Sequence, residues 1–357
     1  MLKIVLIVKY YYPLKRPSGI LRFVMNLSEK LGQKTNLTII TCRFEKKHKK
    51  IECYKNYKII RVASPFYISS AIKAARLKPD LIIFGTGISK LWLLLITSSI
   101  FKFFNTVFSY TNDSSRPNYF LYQFVDINYK NHFLVKYVCT IFEKVICTNH
   151  SLYNFYSKQN NIKNKIFYIP PGIELSKFHN IKNKTNKNIR IGFFGHLSYN
   201  KGSDILLDSF LKLDDDNTEL LLAGVGSLNH ILKKKSRGHK NISIKGYINN
   251  IEMEILSCDI LVFPYRKSEM ILGLSLSAIE GIAMSKPLIV SDSNCLRDLV
   301  INGQNGYIFH SENELMEILK KLANDKKQIT NFGIKSKTRS NEFNINIICD
   351  NLIDLLE

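Results

Sequence analysis

A lysine and a glutamate stand where the pattern of this sequence turns from strand to helix, and both residue types are suited to holding a phosphorylated ligand. Gly192-Phe193-Phe194-Gly195-His196-Leu197-Ser198-Tyr199-Asn200-Lys201-Gly202 runs from an apolar segment through a glycine turn into a helical pattern. Gly195 permits close backbone approach. Lys201 sits just before the helix, where a phosphate would meet both an ammonium and a helix N-terminus. An ordinary βα loop with an exposed lysine has the same pattern. A second glycine turn, Gly273-Leu274-Ser275-Leu276-Ser277-Ala278-Ile279-Glu280, opens another helix with a glutamate in its first turns. Such a helix start binds anions, and the carboxylate can accept hydrogen bonds from a ribose diol. Ser277-x-x-Glu280 also has the spacing of a capping box, in which Glu280 would serve only its own helix. A third turn, Asn302-Gly303-Gln304-Asn305-Gly306-Tyr307, has glycines of the kind any tight turn needs.

These residues need elements to position them, and apolar runs alternate with helical periodicity along most of the chain. Strands are expected at 4–8, 37–41, 57–62, 81–84, 106–110 and 144–148, with helical patterns at 20–31, 71–77 and 91–101. Residues 179–188 are polar and aperiodic, the best linker candidate. The alternation then restarts, with strands at 189–194, 219–223, 242–245, 260–263 and 288–290, and helices at 205–213 and 277–284. The pattern is that of α/β parallel sheets built from βαβ units, here two doubly wound Rossmann-like domains joined by a linker. Ligands of such sheets bind beyond the carboxyl ends of the strands, and with two facing units the expected site is an interdomain cleft.

Length and charge bound the class. The chain has 357 residues, 45% of them hydrophobic and 22% charged, a globular composition long enough for two domains. The opening apolar run is too short for a secretory signal and reads as a buried first strand. The longest apolar stretch, 91–101, falls short of the roughly 18–20 residues that span a bilayer. Seven scattered cysteines form no C-x-x-C pair, so a cytoplasmic location with reduced thiols is expected, without a zinc site. The net charge of +22 is lopsided: residues 1–180 carry 28 basic against 8 acidic side chains, residues 181–357 carry 23 against 21. That field favours an anionic membrane surface as a partner. Nucleic acid is not expected, because no recognition motif accompanies the basic run at 46–50.

Six segments in order resemble the retaining GT-B glycosyltransferases of the large family 4 group. Gly195 to Gly202 is similar to that family's G…K-G loop. Leu221-Leu222-Ala223-Gly224-Val225-Gly226 resembles its glycine-ended strand, and Ile260-Leu261-Val262-Phe263-Pro264 its strand ending in proline. Glu280-Gly281-Ile282-Ala283-Met284-Ser285-Lys286-Pro287 resembles E-A-M-A-x-G-K-P, Gly303 to Tyr307 a G-x-N-G-y turn, and Ile169-Pro170-Pro171-Gly172-Ile173-Glu174 the close of the first domain. The resemblance covers nearly the whole chain and is strongest over about 189–310. It implies a GT-B fold with an acceptor-binding domain at 1–180 and a nucleotide-sugar donor domain at 188–339. A C-terminal helix within 340–357 would pack back on the first domain.

The resemblance also implies roles. Lys201 and Glu280 would act in catalysis, Lys201 on the donor diphosphate and Glu280 on the ribose, with Asp113 as the candidate base. The donor would be bound by Gly19, Gly195, His196, Lys201, Gly224, Gly273, Ser275, Leu276, Ser277 and Glu280. Acceptor or membrane contact would come from Lys15, Arg16, Arg22 and Trp92, with Tyr10-Tyr11-Tyr12 lining the same loop. The reaction would be metal-independent, with no cofactor beyond the nucleotide-sugar substrate. The acceptor would be a glycan or lipid-linked glycan, met by an enzyme peripheral to the inner face of the plasma membrane. Four positions depart from the family. Leu272 stands where the first glutamate of E-x7-E would be, with Glu269 three residues earlier. His196 replaces an arginine, Asn112-Asp113 replaces His-Asp, and Ser18-Gly19 replaces a glycine pair. These departures keep open a non-catalytic homologue that binds nucleotide-sugar or serves as a scaffold.

Overall fold

The structure is a computed structural model. It describes residues 1–13, 19–45, 47–85, 120–125, 143–158, 163–178, 187–267, 274–293 and 295–356. Contacts divide these into two compact units. Met1–Gly172 and Ile345–Glu357 form the first, and the second runs from Ile173 to Asn344.

In the first unit the described elements are β1 (Lys3–Ile7), α1 (Gly19–Lys34), β2 (Asn36–Cys42), β3 (Ile51–Tyr54), β4 (Tyr57–Val62), α2 (Phe66–Leu77), β5 (Leu81–Phe84), β6 (Phe120–Val125), β7 (Lys144–Cys147), α3 (His150–Ser157) and β8 (Ile166–Tyr168). The strands form one sheet in the order β3-β4-β2-β1-β5-β6-β7-β8, parallel except that β3 runs antiparallel to β4. β1 and β5 are apolar runs buried on both faces, as a parallel sheet covered by helices requires. β3 was not expected. Its half-exposed residues carry no apolar run, and it forms by pairing at the sheet edge from Ile51 opposite Ile60 to Tyr54 opposite Tyr57.

The second unit contains β9 (Ile189–Phe194), α4 (Ser203–Leu213), β10 (Thr218–Ala223), α5 (Asn229–Lys235), β11 (Ile242–Lys245), α6 (Ile251–Leu256), β12 (Ile260–Phe263), α7 (Leu276–Ala283), β13 (Leu288–Ser291), β14 (Gly306–Phe309), α8 (Glu312–Ala323) and α9 (Lys326–Arg339). Its sheet has the order β11-β10-β9-β12-β13-β14, and every pairing is parallel. Numbered within the unit, this is 3-2-1-4-5-6, the order of a dinucleotide-type doubly wound sheet.

The last helix, α10 (Ile345–Leu356), lies in the first unit. Ile345, Ile348, Cys349 and Leu352 share one buried cluster with Val24, Leu27 and Leu31 of α1. Lys34 pairs with Asp350, and the Lys144 ammonium donates to the Leu355 carbonyl. The division between units falls between Gly172 and Ile173. The reason is local. The Ile173 amide donates to the Phe343 carbonyl at 2.8 Å, and Ile173 bridges Asn344, which fastens this segment to the second unit.

Candidate active site

In the second unit the strand order reverses between β9 and β12. The crevice outside the carboxyl ends at such a reversal is where doubly wound sheets bind ligands. Lys201 follows β9, and Pro264-Tyr265-Arg266 follows β12.

The chain leaving β9 keeps pairing with the chain leaving β10. The Gly195 amide donates to the Ala223 carbonyl at 3.0 Å, and Leu197 donates to Val225 at 3.0 Å. The two backbones come so close that a Cβ on Gly224 would lie 1.8 Å from the Gly195 carbonyl oxygen. Gly224 is thus placed by backbone fit beside the loop. His196 is exposed. A single 3₁₀ turn, Tyr199–Lys201, ends at Gly202, whose φ of +66° lies in the left-handed region. A Cβ there would meet the Pro264 carbonyl oxygen at 1.8 Å. Only glycine lets the two loops touch in this way.

Arg266 fastens the same joint. Its amide donates to the Asn200 carbonyl at 3.0 Å, and its guanidinium donates to both Asp204 carboxylate oxygens at 2.9 and 2.8 Å. It also donates to the Tyr199 carbonyl at 2.6 Å and lies 3.7 Å from the centre of the Tyr199 ring. Burial pushes the Asp204 carboxyl upward, but the Arg266 hydrogen bonds and charge prevail and hold it below the usual carboxylate range. The Lys201 ammonium lies 3.6 Å from the centre of the Tyr265 ring, and no carboxylate among the described residues pairs with it. Tyr265 is 3% exposed and meets Phe263 edge-on at 6.2 Å. Burial raises the pKa of the nearby Cys295 thiol, and the Lys201 charge acts in the opposite direction.

α7 begins at the same edge. Its N-cap is Ser275, in extended conformation and without a side-chain cap. The Ser277 hydroxyl donates to the Phe194 carbonyl at 2.7 Å and lies 3.2 Å from the Ser275 hydroxyl, which ties the helix start to the end of β9. The capping-box spacing is therefore not used as one. Ser277 is the second residue of the helix rather than its cap, and its hydroxyl is engaged across the sheet. Glu280 is 4% exposed in a helix buried throughout.

Asp292, at the end of β13, is ringed by Arg297, by Lys267 at 3.2 Å and by His310 at 3.4 Å. The Arg297 hydrogen bond, opposed by burial and aided by Lys267, holds its carboxyl well below the ordinary range. The 302–307 turn is structural. The buried Asn305 side chain donates to the Leu299 carbonyl at 3.0 Å and accepts from the Ile301 amide at 2.7 Å. Lys286 is structural too: its ammonium donates to the Leu256 carbonyl at 3.0 Å, and burial lowers its pKa.

Of the expected site residues, Gly195, His196, Lys201, Gly224, Ser275, Leu276 and Ser277 lie at or next to the carboxyl edge of this one sheet, and Glu280 follows one turn further along α7. Gly19 opens α1 of the first unit, and the half-buried Arg22 follows on that helix. Gly273, Asp113, Lys15, Arg16 and Trp92 lie outside the described residues, as do Leu272, Glu269 and Asn112. The three tyrosines do not line one surface. Tyr10 is exposed and stacked on Phe44. Tyr11 is buried with its hydroxyl 2.8 Å from that of Tyr57, and burial pushes its pKa up to about 12. Tyr12 packs on Tyr54 at 4.5 Å. Sequence reading missed Tyr265 and the Arg266–Asp204 clamp. The clamp partners are 62 positions apart, and only the strand order brings them together.

Two doubly wound units of this kind define the GT-B architecture, and solved structures agree over the full length. The HepE protein of Anabaena, solved with UDP and glucose, superposes with a TM-score of 0.75 at 13% identity, covering 100% of this chain and 99% of that one. Residues 188–325 match the family model described as glycosyl transferases group 1. Two relatives share sequence as well. The uncharacterized glycosyltransferase MJ1178 of Methanocaldococcus jannaschii is 27% identical over 220 residues, 60% of this chain and 59% of that protein. The capsular polysaccharide biosynthesis glycosyltransferase CapM of Staphylococcus aureus is 25% identical over 213 residues, 55% of each. These alignments thus span little more than half the length of the relatives.

Proposed function

We propose that the protein is a glycosyltransferase that moves a sugar from a nucleoside-diphosphate donor to a glycan or lipid-linked glycan, with retention of anomeric configuration, in cell-surface polysaccharide synthesis. The observation that carries this reading is the Lys201 ammonium. It stands at the strand-order reversal of a group 1 unit without a carboxylate partner among the described residues, at the same strand ends as the start of α7. HepE, which shares the fold, was solved in complex with UDP and glucose. Negative charge grows on the diphosphate as the glycosidic bond breaks, so fixed positive potential there lowers the barrier. Lys201 and the N–H groups at the start of α7 would supply it, and the exposed His196 would add a hydrogen bond, without a metal ion in this reading. Glu280 would accept hydrogen bonds from the ribose hydroxyls. The basic excess over residues 1–180 would hold the protein against an anionic membrane face at the acceptor's location. No helix among the described residues is long and apolar enough to cross a membrane.

The test is product analysis with a panel of UDP- and GDP-sugars and lipid-phosphate acceptors, the anomeric configuration being read by NMR. Transfer with retention that disappears in Lys201→Ala is the expected result. Inversion would remove the retaining mechanism. Nucleotide-sugar binding without transfer or hydrolysis would favour the non-catalytic homologue, the reading that Leu272 in place of a glutamate supports.

A further inference from the structure

The lysines that form ion pairs in this molecule, such as Lys235 with Asp208 and Lys245 with Glu254, do so with carboxylates. Lys201 instead places its ammonium 3.6 Å above the centre of an aromatic ring. That ring is held from several sides. Tyr265 is 3% exposed and edge-packed on Phe263, and its carbonyl accepts from the Ser291 hydroxyl at 2.5 Å. The backbone under Lys201 is held by the same segment, through Gly202 against Pro264 and through Arg266 on Asn200 and Tyr199. Ammonium and ring are therefore both referenced to the end of β12.

We infer that Tyr265 is the positioning residue for Lys201, a cation–π seat that fixes the ammonium at the strand-order reversal before any anion arrives. The inference rests on the reading of Lys201 as a diphosphate ligand. Its physical logic is the difference between two ways of holding a lysine. A free lysine has a flexible four-carbon stem and loses much rotamer freedom when it binds. A carboxylate would remove that cost, but it would neutralise the charge and compete with the incoming phosphate. A ring face attracts the ammonium through its quadrupole and leaves the net charge in place. The seat uses the ring and not the phenol hydroxyl, so phenylalanine should serve and an aliphatic side chain should not.

Two measurements on the full chain test this. The first needs no ligand. Lysines are reductively methylated with ¹³C-labelled formaldehyde, and the Lys201 signal is assigned by its loss in Lys201→Ala. A ring-current upfield displacement is expected in the wild type and in Tyr265→Phe, with return to the ordinary lysine position in Tyr265→Leu. An undisplaced Lys201 signal in the wild type overturns the proposal, and that arm stands even if the leucine variant does not fold. The second is calorimetric binding of UDP, GDP and inorganic pyrophosphate. Tyr265→Leu should weaken binding about three- to tenfold, in line with the strength of partly desolvated cation–π contacts. Tyr265→Phe should bind as the wild type does, and Tyr265→Leu should have no further effect in a Lys201→Ala background. Unchanged or tighter binding in Tyr265→Leu, or failure of phenylalanine to restore it, overturns the positioning role. If the Lys201 signal is displaced and rescued by phenylalanine while no probe binds the wild type, the seat stands and the diphosphate reading of Lys201 falls.

Discussion

Replacing Gly202 by alanine should damage the joint between the β9 and β12 loops far more than an equivalent change elsewhere, and Gly238 supplies the comparison. Both glycines have left-handed φ, +66° and +88°, so both alanine variants carry the strain of that backbone conformation, roughly 1–2 kcal/mol. A Cβ on Gly238 meets nothing within 4 Å, so that strain is all it carries. A Cβ on Gly202 would sit 1.8 Å from the Pro264 carbonyl oxygen, where real Cβ atoms essentially never come closer than 3.0 Å. One loop must move by on the order of 1 Å in a close-packed interior, an overpacking cost of about 1–3 kcal/mol. The shift also strains two hydrogen bonds that join the same two loops, from the Arg266 amide to the Asn200 carbonyl and from its guanidinium to the Tyr199 carbonyl. Gly202→Ala should therefore lose about 1–3 kcal/mol more than Gly238→Ala. The assay is urea unfolding followed by amide hydrogen exchange, which reads each unit by its own amides. Equal losses in the two variants would show that the loops are not in contact at Pro264, and would remove the basis for placing Lys201 by reference to β12.

Gly195→Ala should behave in the opposite way: its Cβ meets only the Phe193 ring at 3.4 Å, so stability should stay within about 0.5 kcal/mol of wild type while nucleotide binding weakens. Breaking the clamp should show coupling, with Arg266→Ala and Asp204→Ala each destabilising and the double variant losing less than their sum by about 1 kcal/mol or more in a double-mutant cycle. Asp292 has a depressed carboxyl pKa in the folded protein, so its contribution to stability is present above the unfolded value of about 3.9 and is lost as pH falls below it. Asp292→Asn should accordingly flatten the acid limb of the stability profile below about pH 4, and an unchanged acid limb would show that the Arg297 and Lys267 contacts contribute nothing.

Much of the second unit was legible because its strands are short segments, either apolar throughout or with apolar residues in alternation, stopped by glycine or proline. The segments 189–194, 242–245 and 260–263 are the observed β9, β11 and β12. Elements were missed where the signal is weak or non-local. β3 is half-exposed and exists only by pairing with β4, and α8 and α9 lie after the last strand considered. At the site, Lys201 and Glu280 stood out because a charged residue beside a glycine turn has a meaning in one dimension. Tyr265 did not, because a tyrosine after a strand ordinarily reads as core, and its role depends on β9 and β12 being neighbours. The Ser277-x-x-Glu280 spacing is the reverse case, a local pattern left open by the sequence that the fold does not use. The residues fit a capping box, but the helix starts at Leu276 and the serine hydroxyl is bonded to Phe194 instead.

The proposed site for a nucleoside diphosphate is the carboxyl edge of the second unit, with Lys201 on the phosphates and Glu280 on the ribose. Calorimetric titration of UDP, GDP and their sugars into the wild type, Lys201→Ala and Glu280→Gln tests it most directly. Saturable binding of one nucleotide, weakened tenfold or more (about 1.4 kcal/mol) in both variants, is the expected result. Binding that is indifferent to both substitutions, or the absence of binding by every nucleotide in the wild type, would contradict it.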